Sequence, residues 1–168
     1  MSFQVAPCAD LEEYAQAFLA IGQYFAADPT RERNELLARD LPAERMLAAR
    51  EDGRIVGGAG SFPLQLTVPG GVVPAAGVTF VGTYPTHRRR GVMRSLMRAQ
   101  LDGLHERGES LACLWASEET IYGRFGYGLA SLNCSMRLPR DHAAYAQPFQ
   151  ARGRVTLVEA DEALRRFP

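Results

Sequence analysis

Three arginines and a glycine stand in a row at Arg88-Arg89-Arg90-Gly91, between two apolar segments of different period. Upstream, Val78, Thr79, Phe80 and Val81 form a β-branched, apolar run that reads as a buried strand. It ends at Tyr84-Pro85, because proline donates no ladder hydrogen bond. Downstream, Val92, Met93, Leu96, Met97, Leu101 and Leu104 recur close to every 3.6 residues, and Gly108 follows the last turn, where a left-handed cap belongs. A strand therefore feeds a basic loop that opens onto a helix N-terminus. The unpaired N–H groups of a first turn, with the helix dipole, favour an anion there. Gly91 lets the backbone approach it and the arginines add charge-assisted hydrogen bonds, so the loop suits a phosphate and best a diphosphate.

Other residue types that carry chemistry are sparse. His87 adjoins the loop and reads as positioning its turn, while His105 lies on an outer helix face and His142 in a polar stretch. Cys8, Cys113 and Cys134 are odd in number and lack metal-ligand spacing, which points to reduced thiols and to no metal site. Cys113 sits mid-strand without a base partner and is a poor nucleophile. Glu118 and Glu119 fit the first turn of a short helix capped by Ser117 and ended at Gly126.

The elements that must position the loop can be read in order. A first strand at 3–5 ends at Pro7, and Asp10 with Glu13 has the spacing of a capping box. Leu11, Tyr14, Phe18, Ile21 and Phe25 then form one helical stripe that reads as core. Asp28-Pro29 reads as the start of a second short helix, over Arg31 to Arg39. Strands from Arg45 to Arg50 and from Ile55 to Val68 flank the turn at Glu51-Asp52-Gly53, and Pro69-Gly70-Gly71 makes a second turn. Gly57, Gly58 and Gly60 mark bulges or close backbone approach. Ser110 to Ala116 reads as a strand buried on both faces, parallel to the one before the loop. Leu132, Cys134, Met136 and Leu138 alternate as a last strand. Residues 139–154 read as a linker, followed by a strand, a cap at Asp161 and the start of a helix.

The 168 residues suffice for one domain and a remainder. Zero net charge argues against a protein built to bind nucleic acid or anionic membrane, although the three arginines keep a nucleotide- or RNA-binding module as an alternative. All 19 basic residues are arginine, so no lysine can act as a base. The N-terminus lacks the pattern of a signal peptide and no stretch matches a membrane span, which predicts a cytoplasmic protein.

Arg88-Arg89-Arg90-Gly91-Val92-Met93 resembles the acyl-CoA motif of the GNAT acetyltransferase superfamily, Q/R-x-x-G-x-G/A, with Met93 departing from its small last residue. Together with Pro85-Thr86-His87 before it and Ser117-Glu118-Glu119-Thr120-Ile121-Tyr122-Gly123-Arg124-Phe125-Gly126-Tyr127-Gly128 after it, the chain is similar to the N-terminal region of the enhanced intracellular survival (Eis) branch. The resemblance covers most of residues 45–138.

That resemblance implies an α/β (α+β) GNAT fold: a mixed, mostly antiparallel sheet whose central parallel pair splays to admit acyl-CoA, with helices on both faces. It implies a GNAT domain over 1–138 and the beginning of a second such region at 155–168. It implies acetyl transfer from acetyl-CoA to a primary amine in a ternary complex, with Tyr122 as the acid that protonates the leaving thiolate. Cofactor contacts would come from Val81, Gly82 and Thr83, from Arg88, Arg89, Arg90, Gly91, Val92, Met93 and Arg94, and from Ser117 and Glu118. Asp28, Phe80 and Trp115 would face the acceptor, which could be an aminoglycoside, a peptide lysine, a polyamine or another amine. In that branch the base is the terminal carboxylate of a longer chain, and the assembly is a homo-oligomer, a hexamer. An idle acyl-CoA-binding module is the alternative to an enzyme.

Overall fold

The computed structural model describes residues 3–25, 30–150 and 152–167. Five strands form one open sheet in chain order: β1 (Gln4–Pro7), β2 (Met46–Glu51), β3 (Arg54–Val68), β4 (Gly71–Thr83) and β5 (Leu111–Leu114). The first three pairings are antiparallel. The fourth, β4 with β5, is parallel and is bridged by helix α3 (Val92–Glu106). Helices α1 (Leu11–Gly22) and α2 (Arg31–Asp40) come between β1 and β2.

The two-residue alternation of β2 shows why helices cover both sides. Met46 and Ala48 pack with Tyr14, Ala17 and Phe18 of α1, whereas Ala49 packs with Val92 and Leu96 of α3. β3 lies between the two helices, and residues 56–61 are buried throughout. A side chain on Gly58 would put its Cβ 2.4 Å from the carbonyl oxygen of Ala17, so glycine there sets how closely α1 can lie. The turn between β2 and β3 has positive φ at both Asp52 (50°) and Gly53 (75°), the backbone twist that suits a tight hairpin.

Several local expectations change. Asp10 does cap α1, accepting from the N–H groups of Glu12 and Glu13, but Glu13 reaches back to the N–H of Ala9 rather than of Asp10. In the aromatic stripe Tyr14 and Phe18 are buried, while Leu11 and Phe25, at its two ends, are exposed. The cap expected at Asp28-Pro29 lies outside the described residues; Thr30 Oγ1 caps α2 by accepting from Arg33 N–H.

β5 is not buried on both faces. It ends the sheet, and Leu111 and Cys113 are exposed. The expected helix from Glu118 is instead two 3₁₀ turns, Glu119–Ile121 and Gly123–Phe125, and Ser117 does not cap it. Gly126, with φ of 90°, ends the second turn as expected.

The chain divides into two units, Met1–Gly128 and Leu129–Pro168. In the second, no strand forms over Leu132 to Leu138 or over 155–158 among the described residues, since neither segment has a ladder partner there. Leu132, Met136 and Leu138 are exposed. Helix α4 (Ala160–Arg166) begins after Glu159, so Asp161 lies in its first turn instead of capping it.

Candidate active site

The parallel pairing of β4 with β5 runs from Ala75–Leu111 to Val78–Leu114 and stops. β4 continues to Thr83 without β5, while the chain after β5 diverges into the 3₁₀ turns. Opposite Ala59 of β3, β4 carries two residues, Phe80 and Val81, between the pairs Gly60–Thr79 and Gly58–Gly82. This is a β-bulge, and Phe80 sits in it with φ of 53°, a conformation that costs a non-glycine residue about 1–2 kcal/mol. Phe18 and Phe62 pack edge-on against the Phe80 ring and hold it there. Backbone strain kept in place by packing is a common mark of a functional position.

Beyond the last pair the strands open into a cleft of about 430 Å³. The structure brings Phe80, Val81, Trp115, Ser117 and Tyr122 together on its walls. The sequence reading missed its other wall, formed by Phe18, Ile21 and Gly22 of α1, by Phe25 in the turn that follows it and by Arg33 of α2. Phe18, Ile21 and Phe25 belong to the stripe whose helical spacing reads as core, and that spacing carries no signal of a cleft. Asp28 lies outside the described residues, and Glu118, Gly82 and Thr83 do not line the cleft. Glu118 accepts a hydrogen bond from Thr120 Oγ1, while Gly82 and Thr83 pair with Gly58 and Gly57 of β3.

Tyr122 joins the two 3₁₀ turns, and its carbonyl accepts from the N–H groups of Phe125 and Tyr127. Its ring meets Tyr127 edge-on, centroids 5.9 Å apart. Among the described residues its hydroxyl makes no hydrogen bond. Burial pushes the phenol above its ordinary pKa and keeps it protonated. Tyr127 is pushed up to about 12, chiefly by burial and then by Tyr122 and Cys113.

The basic loop stands at the start of α3 and does not line the cleft. Gly91 is the N-cap residue with φ of 94°, and among the described residues no side chain of the cap accepts from the first-turn N–H groups. Arg89 also has positive φ, 59°, and this alternation of handedness about Arg90 is the geometry in which successive N–H groups converge on an anion. Arg88 lies over the Tyr24 ring, 4.8 Å from its centroid. Arg90 and His87 both reach Glu51 at the β2–β3 turn, at 2.5 and 3.3 Å. Glu51 thereby ties the loop to the sheet, a contact that nothing in the sequence signals. Val92, the first residue of α3, is buried, and Met93 is half-buried beside exposed Arg94.

Among the described residues no group of three or more His, Cys, Asp or Glu is placed to hold a metal. Among the described residues no helix is long and apolar enough to cross a membrane.

The chain is similar in sequence and in fold to known proteins. An N-acetyltransferase of Streptomyces avermitilis is 34% identical over 171 residues, covering 98% of this chain and 40% of that protein. The N-acetyltransferase Eis of Mycobacterium bovis is 47% identical over 94 residues, 53% of this chain and 23% of the relative. The crystal structure of Eis1 from Mycobacterium abscessus superposes with a TM-score of 0.66 at 38% identity, over 77% of this chain and 32% of that one. The chain thus spans well under half the length of these relatives. Residues 9–130, which hold the splayed pair, the loop and Tyr122, match the acetyltransferase (GNAT) domain, and the chain belongs to that family.

Proposed function

We propose that this chain transfers an acetyl group from acetyl-CoA to an amine, with Tyr122 as general acid. The observation that carries the reading is the end of β4–β5 pairing at Val78–Leu114, which opens a cleft with Tyr122 on its wall.

The residues present fit an acyl-CoA. The uncapped first turn of α3, with Gly91 at φ of 94° and with Arg88 and Arg89, suits the diphosphate. Beyond Val78, the β4 groups that face away from β3 are left without a strand and suit an extended amide arm that adds as one. Acetyl-CoA supplies an activated acyl carbon and a thiolate leaving group. The acceptor must enter as the neutral amine, and its lone pair forms the C–N bond as the C–S bond breaks. Tyr122 gives its phenolic proton to the departing sulfur, and the nitrogen's surplus proton passes to solvent or to a base. Phe18, Phe80 and Val81 give that side of the cleft an apolar lining.

Release of free thiol from acetyl-CoA, measured across a panel of amines, tests the reading. Amine-dependent thiol release supports it. Tight acetyl-CoA binding with no release for any amine would make the chain a binding module instead.

A further inference from the structure

The acceptor wall of the cleft has a chemical character of its own. Phe25 is 66% exposed and Trp115 is 82% exposed, so two aromatic faces stand uncovered at its mouth. Behind them Ile21 and Phe80 add further apolar surface. Among the described lining residues the one charged group is Arg33. Its neighbour on the same helix, Arg31, is held by Glu35, whereas the guanidinium of Arg33 has no hydrogen-bond or ion-pair partner among the described residues. Arg33 and Phe25 come from the α1–α2 side, and Tyr122 from the chain after β5.

An arginine without a partner among the described residues, beside exposed aromatic faces, discriminates between amines by charge. A polyamine or another polycation would bring its remaining charges towards Arg33, which costs like-charge repulsion. A carboxylate there would gain a bidentate, charge-assisted pair. A flat apolar body would cover Phe25 and Trp115. We infer that the acceptor is a primary amine borne on an aromatic body with a carboxylate at its far end. Arg33 selects the carboxylate, Phe25 and Trp115 hold the ring, and the amine points to the Tyr122 end. This rests on the transferase reading and specifies its substrate class.

Trp115 is the only tryptophan in the chain, so its fluorescence reports occupancy of this wall without any turnover. The test titrates 4-(2-aminoethyl)benzoate, its methyl ester and spermidine into the full chain and into Arg33→Gln, with circular dichroism to confirm folding. The carboxylate compound should bind about three- to tenfold more tightly than its ester, as expected for a partly screened charge pair. Arg33→Gln should bring that ratio to about one. An Arg33-dependent preference in binding supports the acceptor class even if no thiol is released, a result that would count against the transferase reading alone. Spermidine binding more tightly than the carboxylate compound, or a ratio unchanged in Arg33→Gln, overturns the inference even if amines are acetylated.

Discussion

The ring of Phe18 stands nearly perpendicular to that of Phe80, at 81° with centroids 4.9 Å apart, and Phe80 is the residue held at φ of 53°. One contact therefore joins α1 to the β4 bulge that lies just beyond the last β4–β5 pair. Phe18→Ala should remove it and leave a cavity where Tyr14, Met46 and Ala48 now pack around a buried ring. The expected cost is about 3–5 kcal/mol, read from urea denaturation. Because the bulge loses its support, acetyl-CoA affinity should fall as well. A variant that loses stability but keeps full affinity would show that the bulge does not depend on this ring.

How much of this was legible depended on whether the cause was local. The strand–loop–helix order around Arg88 to Gly91 could be read because each part has its own signal: β-branched residues, a glycine and a 3.6-residue period. The parallel β4–β5 pair followed from the connection between them. The positive φ of Phe80 could not be read, since nothing in a phenylalanine announces a left-handed backbone and only its packing enforces it. The buried bridge of Arg45 to Glu109, 2.6 Å, was equally hidden, because it joins residues 64 apart. Leu132 to Leu138 shows the opposite failure: an alternating pattern proposes a strand, but without a partner the ladder does not form.

Arg89→Ala should weaken acetyl-CoA binding by roughly ten- to a hundredfold, the worth of a charge-assisted hydrogen bond of about 1.5–3 kcal/mol. Arg90 is the control within the triplet, since it already pairs with Glu51. Its loss should act on the loop's anchorage to the β2–β3 turn. Calorimetry with both variants separates the two roles, and equal affinity in Arg89→Ala and the parent chain would remove the diphosphate assignment.

Stability should fall in alkali. Cys8 is pushed from 9.0 up to about 12, mainly by burial and then by Glu13. Tyr14 and Tyr127 are pushed from 10.0 up to about 12, again mainly by burial. In the unfolded chain these groups ionise near their ordinary values, so above pH 9–10 the folded state holds more protons than the unfolded one. Their contribution is complete below that range and is lost as pH rises through about 12. The urea midpoint should therefore hold steady from neutral pH to 9 and then decline. Cys8→Ala should delay the onset towards 10. A midpoint that stays level to pH 11 would mean that these groups reach solvent.

Tyr122 and Tyr127 share a ring contact, yet only one of them lines the cleft. The hydroxyl of Tyr127 is buried without a partner among the described residues, so removing it costs no hydrogen bond there and spares a desolvated oxygen. Tyr127→Phe should thus leave stability unchanged or slightly raised, and leave acetyl transfer intact. Tyr122→Phe keeps the same edge-to-face packing and deletes only the proton donor. If Tyr122 protonates the leaving thiolate, kcat should drop by about 10²–10⁴-fold while acetyl-CoA affinity holds, because the lost interaction acts after binding. The raised pKa of Tyr122 adds a second signature. In the parent chain kcat should not decline on the alkaline side until above the ordinary phenol value, and that limb should vanish in Tyr122→Phe. Equal losses in both phenylalanine variants would mean that the pair acts through packing, and full activity in Tyr122→Phe would place the acid elsewhere.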